Sequence, residues 1–561
     1  MKVSELEYQR VTIEHMTEEV NSIVEQIRNA KRVEDILAAR KRYNDLSEEY
    51  STANALSYMR YTINTVNEFY LGEKDYYDEI SPEAANLDLA YNTALMESNF
   101  LPELERLLSP LLFKSIDNSM KSMSPAIVED MIEENKLVSE YSQLMAGMEF
   151  SFRGEIMSRA QLMGYASDDD RETRKECYEA LGSTLAKHSE QLDRIFDGLV
   201  HVRDRMAKKM GYKNFIELGY YRMNRICYNE EMVKNFRENV RKDLVPVVAR
   251  LRTAAAKRLG IDKFMLYDLG IIVPGGDPKP CSTNEIFTAA KEMYHDMSEE
   301  TAEFIDMMLE NEAFDVEARK NKWGGGYCTE FAKYRQPFIL ANFNGTTDDV
   351  DTMTHEVGHA LNDYLMLDNE YVTELGCGGM ETAETHSMSM EFFAWPYMEK
   401  FFGDKASSYR YKHALDTLSF IPYGTMVDAF QHIVYENPDM TPDQRNAAWL
   451  QLEKEFRPFL SMEGIPYLEK GTRWQYQMHI YETPFYYIDY CLAQTAAFQF
   501  LLASQNDYAG AFAKYMTLSK QGGEKAWDQL IEEAGFISPF EDGALKDVAL
   551  KMEELIEQIR V

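Results

Sequence analysis

A chain of 561 residues is too long to fold around one hydrophobic core, so at least two lobes are expected. Hydrophobic residues at 45% and charged residues at 27% match an ordinary globular protein and exclude extensive disorder. A net charge of −35 argues against nucleic-acid partners, because phosphate binding needs a basic stripe.

The first residues, Met1 to Glu7, lack the apolar core of a signal peptide, and no run approaches the roughly 18 apolar residues of a membrane span. Six cysteines (Cys177, Cys227, Cys281, Cys328, Cys377, Cys491) are scattered without a CxxC pair, as suits a reducing compartment. A cytoplasmic protein with no membrane partner is expected.

Helical periodicity dominates the chain. Val20, Ile23, Val24 and Ile27 recur at i, i+3, i+4 and i+7, and Val33, Ile36 and Leu37 extend the pattern. The run Ser167-Asp168-Asp169-Asp170 predicts a helix N-terminus, where carboxylates cap free N–H groups. Val233, Phe236 and Val240 predict another helix that Pro246 should kink or restart. Val273-Pro274-Gly275-Gly276-Asp277-Pro278-Lys279-Pro280 reads as a loop. Beyond Gly324-Gly325-Gly326, the apolar run from Pro337 to Phe343 predicts a strand. The cluster Gly376-Cys377-Gly378-Gly379 separates two helical segments, and Val548, Met552, Leu555 and Ile559 mark a last helix. The fold class expected is mainly α.

His355-Glu356-Val357-Gly358-His359 is an HExxH motif preceded by Asp348, Asp349 and Asp351, as suits a first helical turn. On a helix, i and i+4 share a face, so both imidazoles can reach one zinc ion, while Glu356 turns towards an open coordination position and can take a proton from metal-bound water. Five residues arise by chance often enough that a third ligand must decide. The positions that would mark other zinc peptidases hold Asn362 and Leu365, and about twenty residues on stand Gly378 and Gly379. The first carboxylates of the next helical segment are Glu381 and Glu384.

Together with Gly325-Gly326-Tyr327-Cys328, Pro337-Phe338-Ile339-Leu340 and the run from Glu384 to Glu391, the HEVGH motif resembles the oligoendopeptidase F branch of the thimet oligopeptidase family of zinc metallopeptidases. The likeness extends over most of the chain, through fragments such as Gly164-Tyr165 and Arg205-Met206-Ala207. It implies a third ligand after twenty-four residues beyond the second histidine, which is Glu384. It also implies a two-lobed helical zincin with a small sheet beside a deep active-site channel.

Glu391 lies two turns beyond Glu384, where a carboxylate can fix the tautomer of a ligand histidine. Four tyrosines follow His479 within a dozen positions, a density that ordinarily means core packing. The resemblance instead implies that His479 and Tyr490, then Tyr487 and Tyr486, face the metal as transition-state donors or substrate contacts. The strand through Ala341 can offer its backbone to an extended peptide or be interior, and Gly325 and Gly326 can admit substrate or close a turn. His413 and His432 carry no partner pattern and read as structural, while His386, two residues from Glu384 and on another face, reads as a packing or cleft-wall residue.

The expected organisation is a helical region over 1–320 covering the cleft and a catalytic region over 321–561. The expected function is a zinc metalloendopeptidase that binds one Zn2+ and hydrolyses internal bonds of short peptides. A zinc carboxypeptidase built on the same motif is the alternative.

Overall fold

Three long helices lie near the start of the chain: α1 (Ile13–Arg28), α2 (Val33–Ile63) and α3 (Glu68–Met96). They come from a computed structural model that describes residues 1–561 except 272, 275 and 368. Thr12 caps α1 by accepting from the His15 N–H, and the predicted stripe Val20, Ile23, Val24 and Ile27 is buried. That stripe meets Ile36, Leu95 and Leu111 in an apolar cluster separate from the main core, which also takes in Tyr371 and Leu375 from far along the chain.

Asp170 accepts from the Thr173 N–H, so the acidic run caps the helix Arg171–Lys187 as expected. At Pro246 the helix restarts, one of the two outcomes expected. A π turn over Val240–Leu244 precedes it, and Pro246 then falls in the first turn of Val245–Arg258, where its missing N–H costs little. The Pro/Gly-rich stretch from Val273 is irregular as predicted, and Gly275 within it lies outside the described residues.

Two sheets interrupt the helices. β1 (Phe150–Phe152) and β2 (Glu155–Met157) form a hairpin in which Arg153 and Gly154 both take positive φ, at 51° and 88°. Positive φ at both turn positions suits the right-handed twist of a tight hairpin. The second sheet holds β3 (Phe314–Glu317), β4 (Tyr327–Phe331) and β5 (Gln336–Phe343) in the order β3-β5-β4. β5, the predicted strand, is the middle one, parallel to β3 and antiparallel to β4 with Tyr327 opposite Leu340. α2 docks on this sheet, where Thr62 Oγ1 meets the Tyr327 hydroxyl at 2.6 Å.

The site rests on four helices after the sheet: α4 (Asp348–Leu365), α5 (Met380–Phe393), α6 (Ala406–Glu436) and α7 (Tyr487–Ser504). The turn into α4 is closed by Asp349, whose carboxylate accepts from the N–H groups of Asn344 and Gly345 at 2.9 and 2.8 Å. α4 packs on β4, β5 and α5, and α7 packs on α5 and α6. One large apolar core runs through both halves of the chain. The fold is mainly α and two-lobed, as expected. Among the described residues no helix is long and apolar enough to cross a membrane. All six cysteines are free.

Candidate metal centre

α4 carries His355, Glu356 and His359, and α5 brings Glu384 against them. Gly358 makes this approach possible: a Cβ there would stand 2.6 Å from Ser387 Cα on α5, inside any normal contact. His355 Nε2 lies 3.3 Å and His359 Nε2 3.5 Å from Glu384 Oε2. Ligand atoms of the three residues all fall within 4.8 Å of one another.

This arrangement can be tested for fit to a metal. Glu391 Oε1 lies 2.7 Å from His355 Nδ1, a contact that orients the ring and turns Nε2 to the Glu384 oxygen, where a metal would take its lone pair. Four ligands at about 2.0–2.2 Å from a tetrahedral zinc stand roughly 3.3–3.6 Å apart. The two measured separations match that spacing, and nitrogen and carboxylate ligands suit zinc. The residues fit the metal.

Electrostatics follow from the same contacts. Burial works to raise the Glu384 carboxyl, but the imidazoles of His359 and His355 prevail and hold it well below the usual carboxylate range. Burial raises the Glu356 carboxyl, with both histidines opposing. His355 and His359 keep 21% and 19% side-chain exposure against 2% for Glu384, so a ligand reaches the centre from the imidazole side.

Glu391 also accepts from His413, with Oε2 at 2.8 Å from Nε2, and the Trp395 indole N–H donates to His413 Nδ1 at 3.0 Å. The supporting place expected for Glu391 is therefore occupied, and His413, read as structural, belongs to the same chain of contacts. His413 is isolated in sequence, and nothing in its neighbours points to it. Ser387 donates to Glu384 at 3.1 Å. His432 contacts Asp428, Arg237 and Tyr220 away from the centre. His386 packs on Tyr515 and Ser519. Glu381 is buried, but its charged neighbours are Asp489, Arg225 and Asp528, and burial pushes it up to about 8.

The aromatic cluster stands on the start of α7 and the short helix Met478–Glu482. The His479 ring lies 5.8, 5.0 and 5.8 Å from those of Tyr486, Tyr487 and Tyr490. His479, Tyr487 and Tyr490 line a cavity of about 500 Å3 that reaches Phe420 and Met388. The Tyr486 hydroxyl donates to Glu384 Oε1, which puts it at the centre itself.

Two further expectations are corrected. Ala341 sits on the middle strand, 1% exposed, with its carbonyl accepting from Lys322 Nζ, so it has no free edge for a peptide. The terminal strand beside α4 is β4. Gly325 is held by packing rather than by an opening, since a Cβ there would strike the Trp323 indole at 2.0 Å. Gly326 leads into β4 and borders the centre, where a Cβ would lie 3.9 Å from Glu356 Oε1.

A two-lobed helical chain with paired histidines one helical turn apart and a glutamate between them has the architecture of a peptidase. The profile described as Peptidase M3 N-terminal domain matches residues 3–123, and that of Peptidase family M3 matches 164–273 and 279–550. The chain belongs to peptidase family M3, in its oligoendopeptidase F branch, and is a peptidase of the oligopeptidase type.

Its fold matches a solved structure described as PZ peptidase A with an inhibitor, at a TM-score of 0.97 and 42% identity, covering 99% of each chain. A Bacillus anthracis str. Ames structure, provisionally assigned as oligoendopeptidase F, matches at 0.92 and 39% identity, over 100% of this chain and 99% of the other. The oligopeptidase PepF of Bacillus subtilis (strain 168) is 22% identical over 511 residues, 85% of this chain and 74% of that protein.

Proposed function

We propose that the chain is a zinc metalloendopeptidase that cleaves internal bonds of short oligopeptides. The observation that carries this reading is the convergence of His355, His359 and Glu384 at the spacing of ligands on one ion, with Glu356 on the same helix. Those three residues would hold the zinc, which when bound polarises a carbonyl and acidifies water.

Glu356 takes the proton of the attacking water on its carboxylate and passes it to the leaving amine. As the carbonyl carbon becomes tetrahedral, charge gathers on its oxygen. The Tyr490 hydroxyl and the His479 ring act as its donors, a reading supported by their shared cluster with Tyr487. β4 supplies main-chain pairing for an extended substrate, which suits recognition of a backbone whatever its side chains.

Charge favours internal cleavage over removal of C-terminal residues. The cavity beside His479 is lined by Asp348, Asp351, Glu391 and Asp416. Its one lysine, Lys412, is 2.8 Å from Asp416 and 3.7 Å from Asp277. A terminal carboxylate entering there meets acids and a cation already paired.

The test compares one susceptible sequence as a peptide blocked at both ends and as the same peptide with a free C-terminus. Comparable cleavage of both at an internal bond is expected. Turnover of the free form alone, with release of terminal residues, would establish the carboxypeptidase.

A further inference from the structure

Gln477 stands two residues before His479, half-buried at the start of the short helix, and its side chain touches two groups at once. Its Nε2 lies 3.0 Å from His479 Nδ1, and its Oε1 accepts from the Tyr423 hydroxyl at 2.6 Å. Tyr423 belongs to α6, and its ring carries the Arg473 and Arg457 guanidinium groups at 4.3 and 4.7 Å from its centre. Two cations over a phenol favour its O–H as a donor, so the carbonyl end of the amide is turned towards Tyr423.

The amide then has its NH2 group facing the histidine. An NH2 group only donates, so the ring nitrogen it meets must hold a lone pair. A neutral imidazole carries one proton, which leaves that proton on Nε2. His479 is neutral near pH 7, because burial depresses its pKa to about 4 against the opposing pull of Glu384. The other titratable groups around its ring are Tyr486, Tyr487 and Tyr490, all held protonated by burial.

We propose that Gln477 and Tyr423 are positioning residues that lock His479 in the tautomer protonated at Nε2, so that it meets the substrate carbonyl as a neutral hydrogen-bond donor. The inference rests on the reading of His479 as a transition-state donor. The residue that sets the proton lies two places from the one that uses it, and α6 supplies the tyrosine that orients it.

The decisive variant is Gln477→Glu, which keeps the shape and replaces the donor with an acceptor. A carboxylate calls the proton to Nδ1, and neutral His479 then presents a lone pair to the oxyanion. Only the imidazolium form of this variant keeps an Nε2 proton. Its kcat should therefore fall by at least tenfold, relative to the unaltered enzyme, as pH rises through the new histidine pKa, with KM little changed. Gln477→Met, which removes the bond without imposing the other tautomer, should lower kcat severalfold with no added pH dependence. Tyr423→Phe should behave like the methionine variant.

Nitrogen NMR of protein labelled in its histidine rings, with His479 assigned by its loss in His479→Gln, reads the tautomer without reference to turnover. A proton on Nε2 in the unaltered enzyme, moved to Nδ1 in Gln477→Glu, is the expected result. A proton on Nδ1 in the unaltered enzyme, or an unchanged pH profile in Gln477→Glu, would overturn the proposal. Full activity in His479→Gln would overturn the donor reading beneath it, and the nitrogen spectrum would still decide the tautomer.

Discussion

Gly358 of α4 and Ser387 of α5 lie so close that a Cβ on the glycine would stand 2.6 Å from the serine Cα. The fourth residue of HEVGH thus sets the distance between the helix that carries the histidines and the helix that carries Glu384. Gly358→Ala must push the helices apart, because the atoms it meets are backbone. A loss of about 1–3 kcal/mol of stability is expected from overpacking. Displacing the ligands should also cost roughly 10²-fold in kcat/KM. Denaturant titration and steady-state kinetics check this, and wild-type values in both would show that the helices absorb the methyl group.

The proton carrier is tested by Glu356→Gln. All three candidate ligands remain, so zinc content should be unchanged, while kcat falls by about 10²-fold or more through loss of the base. Metal analysis beside single-turnover kinetics separates the two effects. Near-normal turnover by the metal-loaded variant would remove Glu356 from the mechanism.

Glu381 and Glu384 are both buried at the start of α5, yet only Glu384 faces the imidazoles. Glu384→Ala should abolish tight zinc binding, whereas Glu381→Ala should keep the ion. Zinc content after dialysis checks the pair. Loss of zinc in Glu381→Ala alone would show that the ligand assignment is reversed.

Much of this was legible in the sequence because period and spacing survive folding. The stripe from Val20 to Ile27, the cap at Asp170 and the strand ending at Phe343 follow from local chemistry, and HExxH places two nitrogens on one helical face. Glu384 needed the family resemblance, since spacing alone left Glu381 equally eligible. What stayed hidden depends on contacts between distant segments. The edge role belongs to β4 and not to the more apolar β5, because strand order is decided by which neighbours arrive. His413 reaches Glu391 from α6, and Tyr423 reaches Gln477 from the same helix. No local pattern marks either pair.

The proposed function stands on His355, His359 and Glu384 holding one catalytic zinc ion. The most direct measurement strips the protein of metal and titrates zinc back while following both binding and hydrolysis of an internally quenched, doubly blocked peptide. Negligible hydrolysis is expected without metal, with a rise that saturates at one zinc per chain. In Glu384→Ala, tight binding and hydrolysis should vanish together. Undiminished hydrolysis by the metal-free protein, or saturation that persists in Glu384→Ala, would contradict that assignment.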